Sequence, residues 1–448
     1  MFPSLTLLRR ALELMIETQA EQGHDVAGLG DALAALPDSY DAFDAFATRV
    51  AAAPLRADWP YVEPNDLDAI WDECDPARPP DPIGTLPPAE AAARAEAAFL
   101  AAVCGCILGK PLEVNPTLDE IRAAAEAAGA WPLDDYVPEA LLDALGRRHP
   151  SWTETTRGRI AYVAPDDDLN YDVIAMLLLE AHGTDFTREH VVDLWLHNLP
   201  PGWTFGPERT LLTKATTASL LPGVPYDMEM WVGRWNPRNE LCGAAIRVDA
   251  YGYACPGRPA LAAELAWRDA GWTHRRTGIY GAMFIAAAIA AAFVVRDRLG
   301  IFETALQVVP RRSRFYAITA DCLAMVREAE DWLDGYRRIH AKYGGYGHCW
   351  IYQEVGTLIN TLRFAPDVAT GLGMQVAQGN DTDCFGEIAG SLLGAYFGPG
   401  NLDPRWLAPF NDDFRTAVAG YDERSLAATA RRMGALPGRV ERQLSVVS

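Results

Sequence analysis

The chain reads as an all-α protein, a compact multi-helix bundle preceded by an N-terminal helical extension. Three observations predict this. From Pro88 onward apolar residues recur at helical spacing in segment after segment, and patterns that alternate as a strand does are scarce. Glycines also recur at helical spacing, at Gly105 and Gly109 and again at Gly390, Gly394 and Gly398, as where helix backbones approach closely.

Residues 5–48 carry the first helical pieces. Leu7, Leu8, Ala11, Leu12, Met15 and Ile16 form one apolar stripe, which Gly28-Leu-Gly-Asp31 interrupts. A stretch containing Pro60, Pro64, Pro76, Pro79, Pro80, Pro82, Pro87 and Pro88 then favours extended chain or turns over packed helices. This places a boundary near residue 88, with an extension and linker over 1–87 and the main domain over 88–448. In that domain the spacing predicts helices over 89–108, 118–128, 171–181, 188–196, 260–270, 278–296 and 313–336, followed by a C-terminal pair. Residues 159–164 read as a short strand. The longest uncharged run, 277–295, is dominated by alanine and glycine, which suits a buried helix better than a bilayer span, so no transmembrane segment is expected.

With 448 residues, 50% of them hydrophobic and 22% charged, the chain is long enough to bury a large core. Sixty acidic residues against 39 basic ones give a net charge of −21, which argues against an extended nucleic-acid or anionic-membrane surface while allowing a local positive pocket. The eight cysteines contain no C-x-x-C pair, so a zinc ribbon is not indicated and reduced thiols are the simplest reading. With no apolar run near the start to act as a secretory signal, this points to a cytoplasmic protein.

Two acidic clusters carry the chemistry. Asp166, Asp167 and Asp168 open an apolar helix, and Gly379-Asn-Asp381-Thr-Asp383-Cys384 feeds the small-residue helix over 388–398. Helix capping explains an acid or two at such positions. Three in a row repel one another, and convergence of both clusters would call for a cation. Oxygen ligands of this kind suit Mg2+, Mn2+ or Ca2+ rather than zinc. A third element, Gly105 to Glu113, ends a small-residue helix at Pro111 and presents Glu113 just beyond it.

Together these elements resemble the ADP-ribosylglycohydrolase family, which includes dinitrogenase reductase-activating glycohydrolase and the ADP-ribosyl-acceptor hydrolases. Gly105 to Glu113 looks like its Gly-Asp-x-x-Gly-x-x-x-Glu segment, Asp166 to Leu169 like its Thr-Asp-Asp-Thr segment, and Gly379 to Cys384 like its Gly-Gly-Asp-Thr-Asp-Thr segment. Cys242-Gly-Ala-Ala-Ile-Arg247 is similar to the family's Asn-Gly-Ala-Ala-Met-Arg loop, and Thr273-His274 to its Ser/Thr-His pair. The likeness runs over roughly residues 90–400 in matching order. It departs from the family pattern at Cys106, Asp166, Leu169, Cys242 and Cys384.

The resemblance implies a glycosidase-type hydrolase that cleaves the N- or O-glycosidic bond of an ADP-ribosylated protein or small ADP-ribosyl conjugate, using divalent metal, Mg2+ or Mn2+ and two ions. It implies Asp166, Asp167, Asp168, Asp381 and Asp383 as metal ligands, and Glu113, with Asp168 second, as the catalytic carboxylate. Gly243, Ala244 and Arg247 would meet the pyrophosphate. His274 is a ligand contact, with a structural hydrogen-bonding role as its competitor, and the role of the stretch Tyr343 to Trp350 stays open. Asp167-Asp168-x-x-x-Asp172 also resembles the first acidic motif of class I terpenoid synthases, although Ile388 stands where their second motif needs Glu. A catalytically silent ADP-ribose or metal binder is the remaining alternative.

Overall fold

The computed structural model describes residues 3–79, 81–219 and 227–447, and among these it is helical throughout, with four isolated β-bridges and no strand. The axis of the main body is the pair Pro88–Gly109 and Thr382–Phe397. Small residues make their close packing possible. A Cβ on Gly105 would run into the Gly386 carbonyl, and one on Gly390 into the Ala101 carbonyl, so only glycine lets the two backbones meet. The apolar stretch Pro88–Leu112 is long enough to cross a membrane, yet 67% of its most apolar window is buried inside the protein. Its composition is accounted for by the helix it packs against.

The helix Thr277–Ala292 has every residue buried and packs against Asp249–Ala254, Pro259–Ala270 and Arg298–Leu306. None of the eight cysteines is disulfide-bonded.

Several expectations change. The helix expected over 313–336 is two, Arg314–Glu328 and Trp332–Tyr343, because the Asp331 side chain accepts the Asp334 N–H and starts a new helix. The strand expected over 159–164 reduces to one parallel bridge, Val163 to Phe414. The helix expected from 171 begins at Asp167, with Asp166 as its cap accepting the Asp168 N–H at 3.2 Å. Asp167 and Asp168 therefore sit in the first turn.

At the N-terminus, Leu5–Glu21, Leu29–Ala34 and Tyr40–Ala51 enclose a small core of their own around Leu12, Met15, Phe43, Phe46 and Val50. The proline-rich stretch is not wholly extended, since Asp66 caps a short helix, Leu67–Glu73, whose Ile70 joins the main core. Arg314 ties all three parts together. It pairs with Glu63 at 2.9 Å and Glu240 at 2.7 Å and donates to the Glu21 carbonyl at 3.0 Å.

Candidate active site

The glycine contacts between Pro88–Gly109 and Thr382–Phe397 bring the end of one helix to the start of the other. Thr382 Oγ1 donates to the Gly109 carbonyl at 2.8 Å and locks this junction. Beyond it, Pro111 turns the chain into the short 3-10 segment Lys110–Leu112, which leaves Glu113 partly exposed at the mouth. On the other side Gly379 and Asn380 take positive φ values of 81° and 62°, and the Asn380 N–H donates to the Pro116 carbonyl at 3.0 Å. That turn aims Asp381 and Asp383 at the helix Asp167–His182.

The clusters that the sequence suggests would converge do so. Lys110 Nζ, which sequence reasoning passed over, lies 2.7 Å from Asp166 Oδ2, 2.7 Å from Asp383 Oδ2 and 2.8 Å from Glu113 Oε2. Cys384 Sγ donates to Asp168 Oδ1 at 3.3 Å and Cys242 Sγ to Asp381 Oδ2 at 3.4 Å, so two of the residues that depart from the family pattern are thiol donors to site carboxylates. The Asp381 N–H donates to Glu354 Oε1 at 2.9 Å. His348, from the stretch left open above, has a ring nitrogen within 4.8 Å of carboxylate oxygens of Glu113 and Asp381.

Burial and neighbouring acids push the Asp168, Asp167 and Glu354 carboxyls upward. Glu113 is raised too, by burial and by Asp383, against the opposing pull of Lys110. Asp383 goes the other way, because the Lys110 ammonium outweighs the effect of burial and holds it below its usual range. Against its own burial, His348 is raised to about 9 by Asp381 and Glu354.

The carboxylate oxygens of the site call for counter-charge. Asp168 Oδ2, Asp381 Oδ1, Asp383 Oδ1 and Glu354 Oε2 are buried and have no hydrogen-bond partner. Such oxygens are costly to bury unless a cation or a proton meets them.

Above the acids lies a cavity of about 170 Å³, lined by Glu113, Asp167, Asp381, Cys242 and Gly243, with the exposed ring of Phe205 at its edge. Gly243 forms a wall of bare backbone. A Cβ there would lie 2.5 Å from Glu208 Oε1, a buried carboxylate that sequence reasoning also missed. Ala244, Arg247 and His274 sit behind this wall, fully buried or nearly so. Arg247 spends its guanidinium on Glu208 at 2.6 Å, Asp269 at 2.8 Å, Thr273 Oγ1 at 2.7 Å and the Gly243 carbonyl at 3.4 Å. His274 Nδ1 pairs with Thr273 Oγ1 at 2.7 Å. Both brace the loop from within.

Asp172 is directed away from this centre. One turn deeper, it groups with Asp249 and Glu387, and all three are completely buried. The Asp-Asp-x-x-x-Asp spacing therefore does not converge on one site.

Fold and site together define an all-α protein with a carboxylate-rich centre held between two close-packed helices. The chain belongs to the ADP-ribosylglycohydrolase family, whose profile matches residues 87–436. Among solved structures it is similar to a chain of an ADP-ribosylglycohydrolase-related protein complex, at 19% identity and a TM-score of 0.47, over 78% of this chain and 99% of that one. No curated protein matches it.

Proposed function

We propose that this family member is a metal-dependent glycohydrolase that cleaves the N- or O-glycosidic bond of an ADP-ribosyl conjugate and releases ADP-ribose. The observation that carries the reading is the meeting of the Asp166 to Asp168 and Asp381 to Asp383 clusters with Glu113 beside one cavity, which Glu113, Asp167 and Asp381 line and the Gly243 backbone walls. Bound Mg2+ or Mn2+ would be held by Asp167, Asp168, Asp381 and Asp383, where it would orient ribose hydroxyls and lower the pKa of water.

The chain's own groups do the rest. Glu113, raised by burial at the cavity mouth, keeps a proton that it can give to the departing nitrogen or oxygen as the anomeric bond breaks. Water adds to the anomeric carbon and loses its proton to a carboxylate of the acidic cluster, for which Asp168 is the candidate. The glycine wall lets N–H groups approach a pyrophosphate, and the Phe205 ring offers a face on which a base can stack.

Mass-spectrometric screening of arginine-, serine- and small-molecule-linked ADP-ribosyl conjugates with Mg2+ and Mn2+ tests this. Release of ADP-ribose by the wild type and not by an Asp381→Ala, Asp383→Ala double variant is expected; equal release by both would refute the site. A second reading draws on Lys110, whose ammonium already occupies the carboxylates. In that case ADP-ribose would bind without turnover of any conjugate.

A further inference from the structure

We propose that the Lys110 ammonium is a resident cation of this site, standing in for one divalent ion, so that each chain takes a single metal ion and not two. The inference rests on the metal-dependent reading above and concerns how that centre is balanced.

The carboxylate oxygens divide into two sets. Asp166 Oδ2, Asp383 Oδ2 and Glu113 Oε2 all face Lys110 Nζ at 2.7 to 2.8 Å. Asp168 Oδ2, Asp381 Oδ1 and Asp383 Oδ1 are buried and have no hydrogen-bond partner, whereas in the first set Asp383 Oδ2 is hydrogen-bonded to the ammonium and Asp166 and Glu113 meet it as ion pairs. Asp383 bridges the sets, one oxygen to each. The first set already holds a covalently attached positive charge, and beside it Asp168 and Asp383 lie close enough together, with Cys384, to share one ion.

Lys110 is not free to leave. It is 8% exposed, and Pro111 and Leu112, which follow it, are buried as well. Its backbone N–H donates to the Cys106 carbonyl at the end of Pro88–Gly109, where the helix dipole favours a cation. A second divalent ion on Asp166, Asp383 and Glu113 would have to displace this ammonium or face it across shared oxygens. A lysine is a compact point charge, and here it donates to Asp383 Oδ2 while pairing by charge with Asp166 and Glu113.

The full chain is dialysed to equilibrium against Mn2+ and its metal content measured, with the electron paramagnetic resonance spectrum recorded in parallel. The wild type is expected to hold one Mn2+ per chain with the hyperfine pattern of an isolated ion. Lys110→Met is expected to hold two, with a spin-coupled spectrum, and Lys110→Arg, which keeps the charge, to remain at one. Two ions in the wild type, none at all, or no gain on Lys110→Met would overturn the proposal. If Lys110→Met does not fold, Lys110→Gln and the wild-type count decide it in the same way. ADP-ribose titration of the same wild-type sample separates the two readings. One ion without ADP-ribose binding keeps the lysine assignment and removes the glycohydrolase, whereas two ions with turnover does the reverse.

Discussion

Glu354 accepts the backbone N–H of Asp381 at 2.9 Å, so a carboxylate from the helix Ile351–Phe364 fixes the point at which the acidic loop turns into its own helix. Asp381 has no side-chain cap to do this work locally. Glu354→Leu removes the anchor and should lower both Mn2+ affinity and turnover by about 10- to 100-fold, the usual cost of losing a partner that orients a metal ligand. Glu354→Gln keeps an acceptor oxygen and should recover part of the loss. Titration of Mn2+ binding and kcat/KM on the two variants checks this.

Asp383 serves both Lys110 and the site, which gives its removal two separable effects. Asp383→Ala should reduce turnover by at least about a hundredfold. It should also destabilise the fold by about 3 kcal/mol, because a buried ammonium loses one of its partners. Asp381→Ala removes no partner of Lys110 and should cut turnover with a smaller effect on stability. Denaturant melts beside activity assays distinguish the pair.

The contact between Gly105 and Gly386 predicts steric sensitivity. Gly105→Val places side-chain atoms against the Gly386 carbonyl and should cost several kcal/mol, since neither helix backbone can give way without disturbing the junction at Thr382. Gly30→Ala, in the helix Leu29–Ala34, meets nothing within 4 Å and should leave stability unchanged or raise it by up to about 1 kcal/mol. Thermal melts of both variants provide the comparison.

Asp172, Asp249 and Glu387 are buried together, and none of their six carboxylate oxygens has a hydrogen bond of normal geometry. Burial pushes Asp249 from 3.8 up to about 7, and Asp172 and Glu387 are raised as well. A carboxyl raised in the folded state favours folding while it is protonated. That contribution is fully present below about pH 4 and is lost as pH rises through about 7. Asp249→Asn should therefore be more stable than the wild type by about 1–3 kcal/mol at pH 8, with the gap narrowing toward pH 5. Urea melts across this range measure it.

The acidic clusters were legible because each is local: a run of aspartates before an apolar helix announces itself whatever the rest of the chain does. Lys110 and Glu354 carry no such signature. Each is a single residue whose partner lies far along the chain, 273 residues away for Lys110 and Asp383 and 27 for Glu354 and Asp381. Arg247 and His274 look like ligand contacts from their positions beside a glycine loop, yet Glu208, Asp269 and Thr273 claim them, and the pairing with Glu208 depends on how distant helices pack. The helical class was readable from spacing alone. The break at Asp331 turned on one capping hydrogen bond inside an otherwise unbroken pattern.

The 273-residue span between Lys110 and Asp383 also orders events during synthesis. When the lysine leaves the ribosome its later partner does not yet exist, and the face of Pro88–Gly109 that meets Thr382–Phe397 stays uncovered until that helix emerges. At roughly 5–20 residues per second that interval lasts tens of seconds. A chain cut short before residue 382 leaves this small-residue stripe without the helix it is shaped to meet.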